Sequence, residues 1–458
     1  MCGTTSKLMS GNSWLLSACP CKIEIMFEHL VVIDPDADED ALLGRITEFQ
    51  HLKAAAAAGQ ARAQAALEAK RIAAARAGGP RVSRAALGSE VGLARHESPH
   101  RGERLMAMSR ILIPDMPCTL AALEAGRLSE HRAELITKEA ACLSAFHRQL
   151  MDVELCGDPA TVEGMGNKEI EAEARRIAYR LDQQAVLERA RAARAGRHVR
   201  LRPAGDAMAT VSVRLPAAEG QAVHTALSQG AATTLASTLP GTSVPAGLGR
   251  THGQIMADLV VERVTGRNPI DGPVSVAVNL VLSDETLLAG GQEPAHLDGH
   301  GPIPAELARH LVLAAEADPH AVAAVRRLYA QPGTNKLVAM ESKARAFPKA
   351  LARFIALRDQ ICRIPYCNAR IRHTDHITPH RKTGRTSADN GEGVCEHCNY
   401  VKEEPGWQAS TTYDRHGRHT VQLTTPTGAV YTSTAPPGPE GLRIFTRDVY
   451  IARIKPAA

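Results

Sequence analysis

The spacing of apolar and polar positions divides the chain into a helical first part, a mixed middle part and a cysteine-rich end. From residue 41 to residue 156 the pattern is helical, and 41–77 is rich in strong helix formers such as Ala, Gln, Glu and Arg. Gly78-Gly79-Pro80 ends this first stretch. The segment 157–200 continues with a charged, arginine-rich helical pattern. We therefore expect a mainly helical region over 41–200.

Two short predicted helices lie inside this region. Pro117 opens the first helix, Gly126 interrupts the pattern, and Ser129 can cap the second helix. Two short helices joined through a glycine-containing turn are compatible with a helix-turn-helix motif. The same pattern fits an ordinary helical hairpin that packs into a core, and we favour this second interpretation.

The apolar pattern changes to a period of two near residue 200. Residues 199–202 and 210–215 alternate as half-buried strands do. The next predicted elements are a helix, a Gly/Thr/Ser/Pro-rich loop, an apolar strand and a helix, over 222–227, 228–250, 274–282 and 307–311. We expect a mixed α/β region over 200–330, followed by a linker near 330–345. The mixed region over 200–330 contains no Walker loop, dinucleotide fingerprint, His-Glu-x-x-His motif or nucleophile elbow.

Composition narrows the class of protein. The chain has 458 residues, with 44% hydrophobic and 22% charged residues, which is typical of globular proteins. No run of 18 or more apolar residues is present, so we expect a cytoplasmic protein without a membrane partner. Aromatic residues make up only 3%, so the core must be mainly aliphatic. Ten cysteines are too few for a disulfide scaffold of this length.

The first 25 residues differ from the rest of the chain. Leu16–Cys19 has the shape of a bacterial lipoprotein cleavage box, but the polar segment 10–13 before it is unsuited to an apolar signal core. We expect a disordered leader over 1–25, or a translation start at Met26.

Charge is concentrated at the C-terminal end. The whole chain has a net charge of +5, whereas residues 341–458 hold 18 Lys and Arg against 11 Asp and Glu. The excess is sharpest over 341–390, which has 11 basic and 4 acidic residues. A local basic excess suggests a polyanionic partner, with nucleic acid as the first expectation.

Two close pairs of cysteines lie in this basic segment. Cys362 and Cys367 are separated by four residues, Cys395 and Cys398 by two, and 27 residues lie between the pairs. Thiols at this spacing can close a tetrahedral zinc site. Because the segment is short and offers little apolar core, a metal can supply its folding free energy. The sequence therefore predicts a structural Zn²⁺ at these four residues.

Polar residues suited to phosphodiester chemistry lie within and beside this cysteine frame. They are Asp375, His376, Asn390 and Asn399, and an alternating strand would place the first two on opposite faces or at a bulge. A neutral imidazole can accept a proton from water. A carboxylate and an amide oxygen can hold one hard divalent ion, which can stabilise charge on a phosphate. A second amide can fix the orientation of the histidine ring or nearby backbone.

This combination resembles the HNH endonuclease family and its ββα-metal fold. The resemblance implies that His376 is the general base and that Asp375 and Asn399 are ligands of a catalytic divalent cation, Mg²⁺ or Mn²⁺. It implies that Asn390 orients the base or braces the loop. It also implies that the structural zinc is held by Cys362, Cys367, Cys395 and Cys398.

The likeness extends beyond the nuclease motif. The stretch 358–367 resembles the opening of the nuclease module in the actinobacterial 13E12 repeat family, whose members pair an HNH module with an N-terminal DUF222 domain. Stretches that resemble DUF222 sequences are 119–130, 198–203, 299–304 and 405–407. The resemblance covers roughly residues 30–435 and implies nothing about the biochemical role of DUF222.

These patterns together predict an α+β protein. It has a mainly helical N-terminal region, a mixed α/β middle region and a C-terminal zinc-stabilised ββα-metal nuclease module. The predicted boundaries are a leader over 1–25, a DUF222-like domain over 26–335, an HNH module with a β-hairpin extension over 340–435, and a tail over 436–458.

The chain departs from its relatives at four positions, one of which is Arg385, since Gly384-Arg385 stands where relatives often have Gly-Gly. Asn390 is followed by Gly391 where relatives usually have Leu, which could loosen the loop that carries Asn390. Cys398 stands where relatives often use His as the fourth zinc ligand, and Asn399 stands where many have His. Neither of these two changes removes a ligand atom.

The loop before Asn390 supplies candidates for DNA phosphate contacts. Arg381, Lys382 and Arg385 lie in this loop, and such a run near a phosphate-cleaving site can neutralise backbone charge. We expect the flanking histidines, His373 and His380, to lie in solvent.

Three hypotheses for function remain open from the sequence. The first is a metal-dependent endonuclease that hydrolyses double-stranded DNA directly, since aromatic residues are too few for a single-strand stacking platform. The second is a zinc-stabilised DNA-binding protein with a weak or inactive nuclease site. The third is an interaction protein whose large N-terminal region contacts partners.

Overall fold

The computed structural model describes residues 32–237, 250–268, 280–283, 286–287, 290–317, 330–331, 336–337, 346–383 and 385–437. The expected leader over 1–25, all but two residues of the expected tail, and most of the predicted strand over 274–282 lie outside these residues. The described chain is α+β, with a helical N-terminal region, a mixed middle region and a C-terminal part built around a four-cysteine cluster.

The N-terminal region is an assembly of helices. They are α1 (Glu39–Arg76), α2 (Arg84–Ala94), α3 (Pro99–Asp115), α4 (Pro117–Glu124), α5 (Glu130–Ala140), α6 (Ala145–Cys156), α7 (Asn167–Leu181) and α8 (Gln183–Ala195), with a 3-10 turn at Pro159–Thr161. The described helices include none that combines the length and apolarity needed to cross a membrane.

Side-chain caps explain where several of these helices begin. The predicted cap Ser129 accepts a hydrogen bond from the Arg132 amide, and Asp38, Ser83 and Ser98 cap their helices in the same way. The segment 157–200, expected as one helix, is instead divided. It breaks at Asp182, whose extended backbone ends α7 and whose carboxylate accepts from the amide of Ala185 to start α8.

One aliphatic core holds these helices together. The predicted short hairpin, α4 and α5, places Leu123 and Ile136 fully inside it. Leu105 and Leu112 of α3, together with Leu155 of α6, fill the same core. Apolar positions at helical spacing therefore meet across several helices, as the sequence pattern predicts.

The middle region mixes short strands with helices. Its elements are β1 (His198–Pro203), β2 (Ala209–Arg214), α9 (Ala217–Ser237), α10 (His252–Thr265), β3 (Leu280–Val281), β4 (Ala295–Leu297), β5 (Gly301–Ile303), α11 (Ala305–Ala317), β6 (Ala330–Gln331) and β7 (Lys336–Leu337). Strands β1 and β2 pair antiparallel, as do β3–β4–β5 and β6–β7. The loop expected from residue 228 begins too early, because α9 continues to Ser237.

The C-terminal part contains two small sheets and three helices within the described residues. Its elements are α12 (Lys349–Asp359), β8 (His373–His376), α13 (His380–Thr383), β9 (Gly391–Val394), α14 (Glu396–Val401), β10 (Gln408–Tyr413), β11 (His419–Thr424) and β12 (Val430–Thr434). Strands β8 and β9 form an antiparallel hairpin directly followed by α14, a ββα arrangement. The expected hairpin after Trp407 is present as β11 and β12, and β10 adds a third strand.

Helix α2 packs against the C-terminal part although about 270 residues separate them in sequence. Ala86 and Leu93 share a buried cluster with Trp407 and with Cys398. Ser89 Oγ lies 2.9 Å from His397 Nε2. Residues near the start of the chain therefore complete the core of the C-terminal part.

Candidate functional site

The four cysteines predicted to bind zinc come together in space. Their sulfur atoms all lie within 4.8 Å of one another, with Cys367 Sγ 3.7 Å from Cys395 Sγ and 3.5 Å from Cys398 Sγ. Zinc–sulfur bonds of about 2.3 Å place the sulfurs of a tetrahedral site about 3.8 Å apart. The cluster therefore has the donor atoms and the dimensions to hold a structural metal such as zinc.

Local backbone geometry presents each sulfur to this centre. Between the first two cysteines the chain turns tightly, with Tyr366 at φ 63° and a hydrogen bond of 2.8 Å from the Cys362 amide to Ala369 O. Cys395 caps α14, and its sulfur accepts from the Cys398 amide at 3.4 Å. Hydrogen bonds among the thiols lower the pKa of Cys395 and raise the pKa of Cys362 and Cys398, so the four sulfurs do not titrate alike.

The hairpin of β8 and β9, which lies between the two cysteine pairs, carries Asp375 and His376. Strand β8 pairs regularly with β9, so Asp375 lies opposite Glu392 and His376 opposite Gly391, without a bulge. Asp375 Oδ1 lies 3.7 Å from His376 Nδ1, and about a third of the Asp375 side chain is exposed. The two side chains are thus neighbours at the end of one strand.

The side chain of His376 is buried. Its Nε2 atom is 3.0 Å from Thr386 Oγ1, and its ring packs against Phe347 with centroids 4.6 Å apart. His380, which was expected in solvent, is only partly exposed and lies edge-on to the same ring at 5.4 Å, whereas His373 is exposed. Burial lowers the pKa of His376, and Asp375 only partly offsets this. The imidazole is therefore neutral at neutral pH.

Lys402 is a central residue that the sequence reasoning missed. Its ammonium lies 2.9 Å from Asp375 Oδ2 and 3.3 Å from Glu392 Oε1, and it donates to His376 O at 2.5 Å. Burial would lower the pKa of Lys402, but Glu392 and Asp375 outweigh it and raise this pKa. Lys402 caps the C-terminal end of α14, and its position three residues after Asn399 was the signal that the sequence offered.

The charge of Lys402 also sets the state of its carboxylate neighbours. Burial alone would raise the pKa of Asp375, but the positive charge of Lys402 lowers it below its ordinary value. Complete burial raises the pKa of Glu392 in spite of the same lysine. Asp375 is therefore a carboxylate at neutral pH.

Asn390 braces the loop between the two strands. Its Oδ1 accepts from the Thr378 amide at 2.9 Å, and its Nδ2 donates to Thr378 O and Arg385 O, each at 3.0 Å. Of the two roles expected for Asn390, these contacts match the bracing role.

Gly391 fits tightly beside this brace. A Cβ at Gly391 would come within 2.4 Å of Ile355 Cδ1 and 2.7 Å of Phe347 Cε1, so those two side chains occupy the space that an apolar residue would fill. The carbonyl oxygen of Asp389, the residue before Asn390, also accepts hydrogen bonds from Thr411 and His419 of the three-stranded sheet. The loosening expected from Gly391 stays a prediction, and the bonds to Asn390 and Asp389 hold the end of this loop.

Asn399 presents an amide oxygen without a hydrogen-bond partner in the described part of the chain. Its Oδ1 is buried, and its backbone is held on α14 by a bond of 3.0 Å from its amide to Cys395 O. Amide and carboxylate oxygens are donors that hard divalent cations accept, and the helix that carries Asn399 follows the hairpin that carries Asp375. Lys402 already engages one of the two Asp375 oxygens.

The three predicted phosphate contacts lie on the surface. Arg381, Lys382 and Arg385 are exposed, and Arg381 is 3.9 Å from Glu403, with about three quarters of its side chain accessible. They follow His376 and precede Asn390, so they lie on the loop that the brace holds. Their charges are accessible to a ligand.

Comparison with known proteins yields one match. The family described as Domain of unknown function (DUF222) matches residues 50–359, which is 310 of the 458 residues. The match ends three residues before Cys362, so the cysteine cluster and the ββα hairpin lie beyond it. Comparison with curated proteins and with solved structures finds no match.

Proposed function

Since the chain belongs to the DUF222 family, whose domain has no assigned function, we propose its function from the site that follows the matched region. The proposal is a metal-dependent endonuclease of the HNH type that hydrolyses phosphodiester bonds of double-stranded DNA. One observation carries it. A buried, neutral His376 lies beside the carboxylate of Asp375 on a hairpin followed by the helix that carries the unpartnered Asn399 oxygen.

His376 acts as the general base in this proposal. With Nε2 donating its proton to Thr386 Oγ1, the Nδ1 atom keeps its lone pair and can accept a proton from water. The oxygen of that water forms a bond to phosphorus, and the bond from phosphorus to the leaving sugar oxygen breaks. The leaving oxygen takes its proton from solvent. Because the pKa of His376 is lowered, its ring is unprotonated at neutral pH and can act as a base.

The remaining residues hold the base and the substrate. A divalent ion such as Mg²⁺ or Mn²⁺, held through Asp375 and Asn399, would supply positive charge for the phosphate and the leaving oxygen. Lys402 fixes the Asp375 carboxylate and the backbone of His376. Asn390 keeps the loop in place, and Arg381, Lys382 and Arg385 are available to neutralise neighbouring phosphates.

A second candidate is favoured by Lys402 itself. Because the lysine already neutralises Asp375 at 2.9 Å, the carboxylate attracts a divalent cation less strongly than an unpaired one would. A zinc-stabilised DNA-binding protein with a weak or inactive nuclease site remains the alternative for this reason.

A cleavage assay on supercoiled plasmid distinguishes the endonuclease from the DNA-binding protein. We expect purified, zinc-loaded protein to nick or linearise plasmid when Mg²⁺ or Mn²⁺ is added, and His376→Ala with unchanged zinc content to lose this activity. The cleavage rate should fall as the pH is lowered through the pKa of His376. This pKa lies below 6.5, because burial lowers it. Plasmid binding without any cleavage by the wild type would instead support the binding protein.

A further inference from the structure

An exposed ribbon in the middle region carries concentrated positive charge. Residues 189–214 hold seven arginines and one acidic residue, Asp206. The segment covers the end of α8 and both strands of the β1–β2 hairpin. We call the hairpin, residues 198–214, the arginine ribbon. All residues of β2 and all but the first of β1 are exposed.

The register of the ribbon sorts its side chains onto two faces. Directly opposed residues of an antiparallel pair project to the same side of the sheet. The pairs on one face contain only apolar residues: Val199 with Val213, and Leu201 with Val211. The pairs on the other face contain the arginines: His198 with Arg214, Arg200 with Ser212, and Arg202 with Thr210.

The arginine face has the chemistry of a phosphate-binding surface. The side chains of Arg200, Arg202 and Arg214 are exposed, and their guanidinium groups make no ion pair or hydrogen bond with other residues that the structure describes. Ser212 and Thr210 lie opposite Arg200 and Arg202 on the same face, and their hydroxyls are further donors. Guanidinium and hydroxyl groups are the side chains that most often contact phosphate oxygens in nucleic-acid complexes.

The ribbon is linked to the candidate nuclease site through one turn. His300 Nε2 lies 2.9 Å from Met208 O, in the turn that joins β1 to β2. The neighbouring Gly299 lies against the Arg370 guanidinium, since a Cβ at that glycine would be 3.0 Å from Arg370 Nη2. Arg370 and Arg372 are exposed and directly precede β8, which carries Asp375.

We propose that the arginine ribbon is a second nucleic-acid contact surface, which binds the phosphate backbone of duplex DNA outside the cleavage site. The inference shares its DNA partner with the proposed function but does not require cleavage. An anionic lipid surface fits less well, because the apolar residues and the arginines lie on opposite faces and cannot both engage one membrane.

Salt dependence of binding tests the ribbon. In a zinc-loaded His376→Ala background, which prevents cleavage, we would measure the affinity for a short DNA duplex at several salt concentrations. The logarithm of the binding constant falls against the logarithm of salt by about 0.9 per phosphate contact. Combined substitution of Arg200→Gln, Arg202→Gln and Arg214→Gln should reduce this slope by about 2 to 3.

A matched control removes the same charge elsewhere. Lys53, Lys70 and Arg76 on α1 are exposed, and their combined change to Gln should leave the slope as it is in the background protein. Arg202→Gln alone should reduce the slope by about 1, which gives a second test if the triple variant folds poorly.

Equal slopes for the ribbon variants and the α1 control would overturn the proposal. So would an unchanged slope on DNA with lost binding to vesicles of phosphatidylglycerol and phosphatidylcholine, which would assign the ribbon to membranes. Because binding is measured, the answer does not depend on whether the wild type cleaves DNA.

Discussion

The helical N-terminal region and the C-terminal part achieve a fixed structure by different means. The helices surround a large aliphatic core in which Leu105, Leu123 and Ile136 are fully buried. The C-terminal part has a small core in which Cys362, Cys395 and Cys398 are themselves buried members beside Trp407. A long helical chain can bury enough apolar surface to fold, whereas a short strand-rich segment needs a metal to do so.

The polar interiors of the two regions differ as well. In the helical region the buried Glu139 is matched by two arginines, Arg175 and Arg189, and the three form a structural cluster. In the C-terminal part, Lys402 lies between the carboxylates of Asp375 and Glu392, and the first of these is partly open to solvent. The Glu139 carboxylate is therefore covered by its partners, whereas the Asp375 carboxylate remains accessible to a ligand.

Loss of the metal should have the largest effect. It should unfold the C-terminal part while the helical N-terminal region stays folded. We expect Cys398→Ser, or removal of metal by a chelator, to unfold the C-terminal part, because structural zinc contributes on the order of 10 kcal/mol in small zinc domains. In a Trp14→Phe background, the fluorescence of the buried Trp407 should shift to the red while helical circular dichroism is largely retained. Unchanged Trp407 emission after metal removal would contradict this division.

Lys402 should be the next most sensitive position. Its change to Met leaves Asp375 and the fully buried Glu392 without their cation, and we expect a loss of about 3–5 kcal/mol in the free energy of unfolding. Adding Glu392→Gln should restore much of this loss. Chemical denaturation followed by Trp407 fluorescence measures both effects.

An exposed ion pair provides the control for Lys402. Lys138 pairs with Glu171 on the surface of the helical region, and Lys138→Met should change stability by less than about 1 kcal/mol. Similar losses for the two lysine variants would mean that the buried network has no special role.

A cavity in the core of the helical N-terminal region should destabilise that region and leave the C-terminal part unchanged. We expect Leu123→Ala to cost about 2–5 kcal/mol, measured by denaturation followed by circular dichroism, while the zinc content stays unchanged. The exposed Leu43→Ala should stay within about 0.5 kcal/mol. Loss of zinc in the Leu123 variant would show that the two regions unfold together.

The last expected effect is a dependence of stability on pH through His419. Burial, with the nearby Arg358, lowers the pKa of His419 to about 4 from an ordinary 6.5. The folded state therefore favours the neutral ring, so this stability is present above pH 6.5 and is lost as pH falls towards 4. The loss is about 3 kcal/mol over that window.

The pH profile needs a variant for comparison. His419→Gln keeps a donor for Asp389 O but cannot titrate, so its stability in excess zinc should fall less than that of the wild type between pH 6.5 and 4. Parallel profiles for the two proteins would exclude His419 as the source.

The sequence predicted those parts of the molecule that depend on local spacing. The cysteine pairs, the Asp375–His376 strand and the Ser129 cap follow from residue types at fixed separations, and each is present. The contacts that join distant segments have no such signal. Helix α2 meets the cysteine cluster across about 270 residues, and Lys402 meets Glu392 only because α14 folds back on β9.

The break at Asp182 and the length of α9 were missed for a related reason. Helix propensity over 157–200 gives no warning that a single extended residue ends one helix and caps the next. The polar residues after 228 resemble a loop, yet Thr233 and Thr234 return their hydroxyls to carbonyls four residues earlier within α9. These hydroxyls are thereby satisfied inside the helix, so polar residues alone did not mark its end.

Zinc content and plasmid cleavage, determined together for three proteins, test the central claim most directly. The claim is that a cysteine-held metal builds a hairpin on which His376 performs hydrolysis. The account predicts that the wild type binds zinc and cleaves with added Mg²⁺ or Mn²⁺, that His376→Ala binds zinc without cleaving, and that Cys398→Ser loses both properties. Cleavage by zinc-loaded His376→Ala, or by Cys398→Ser without zinc, would contradict it.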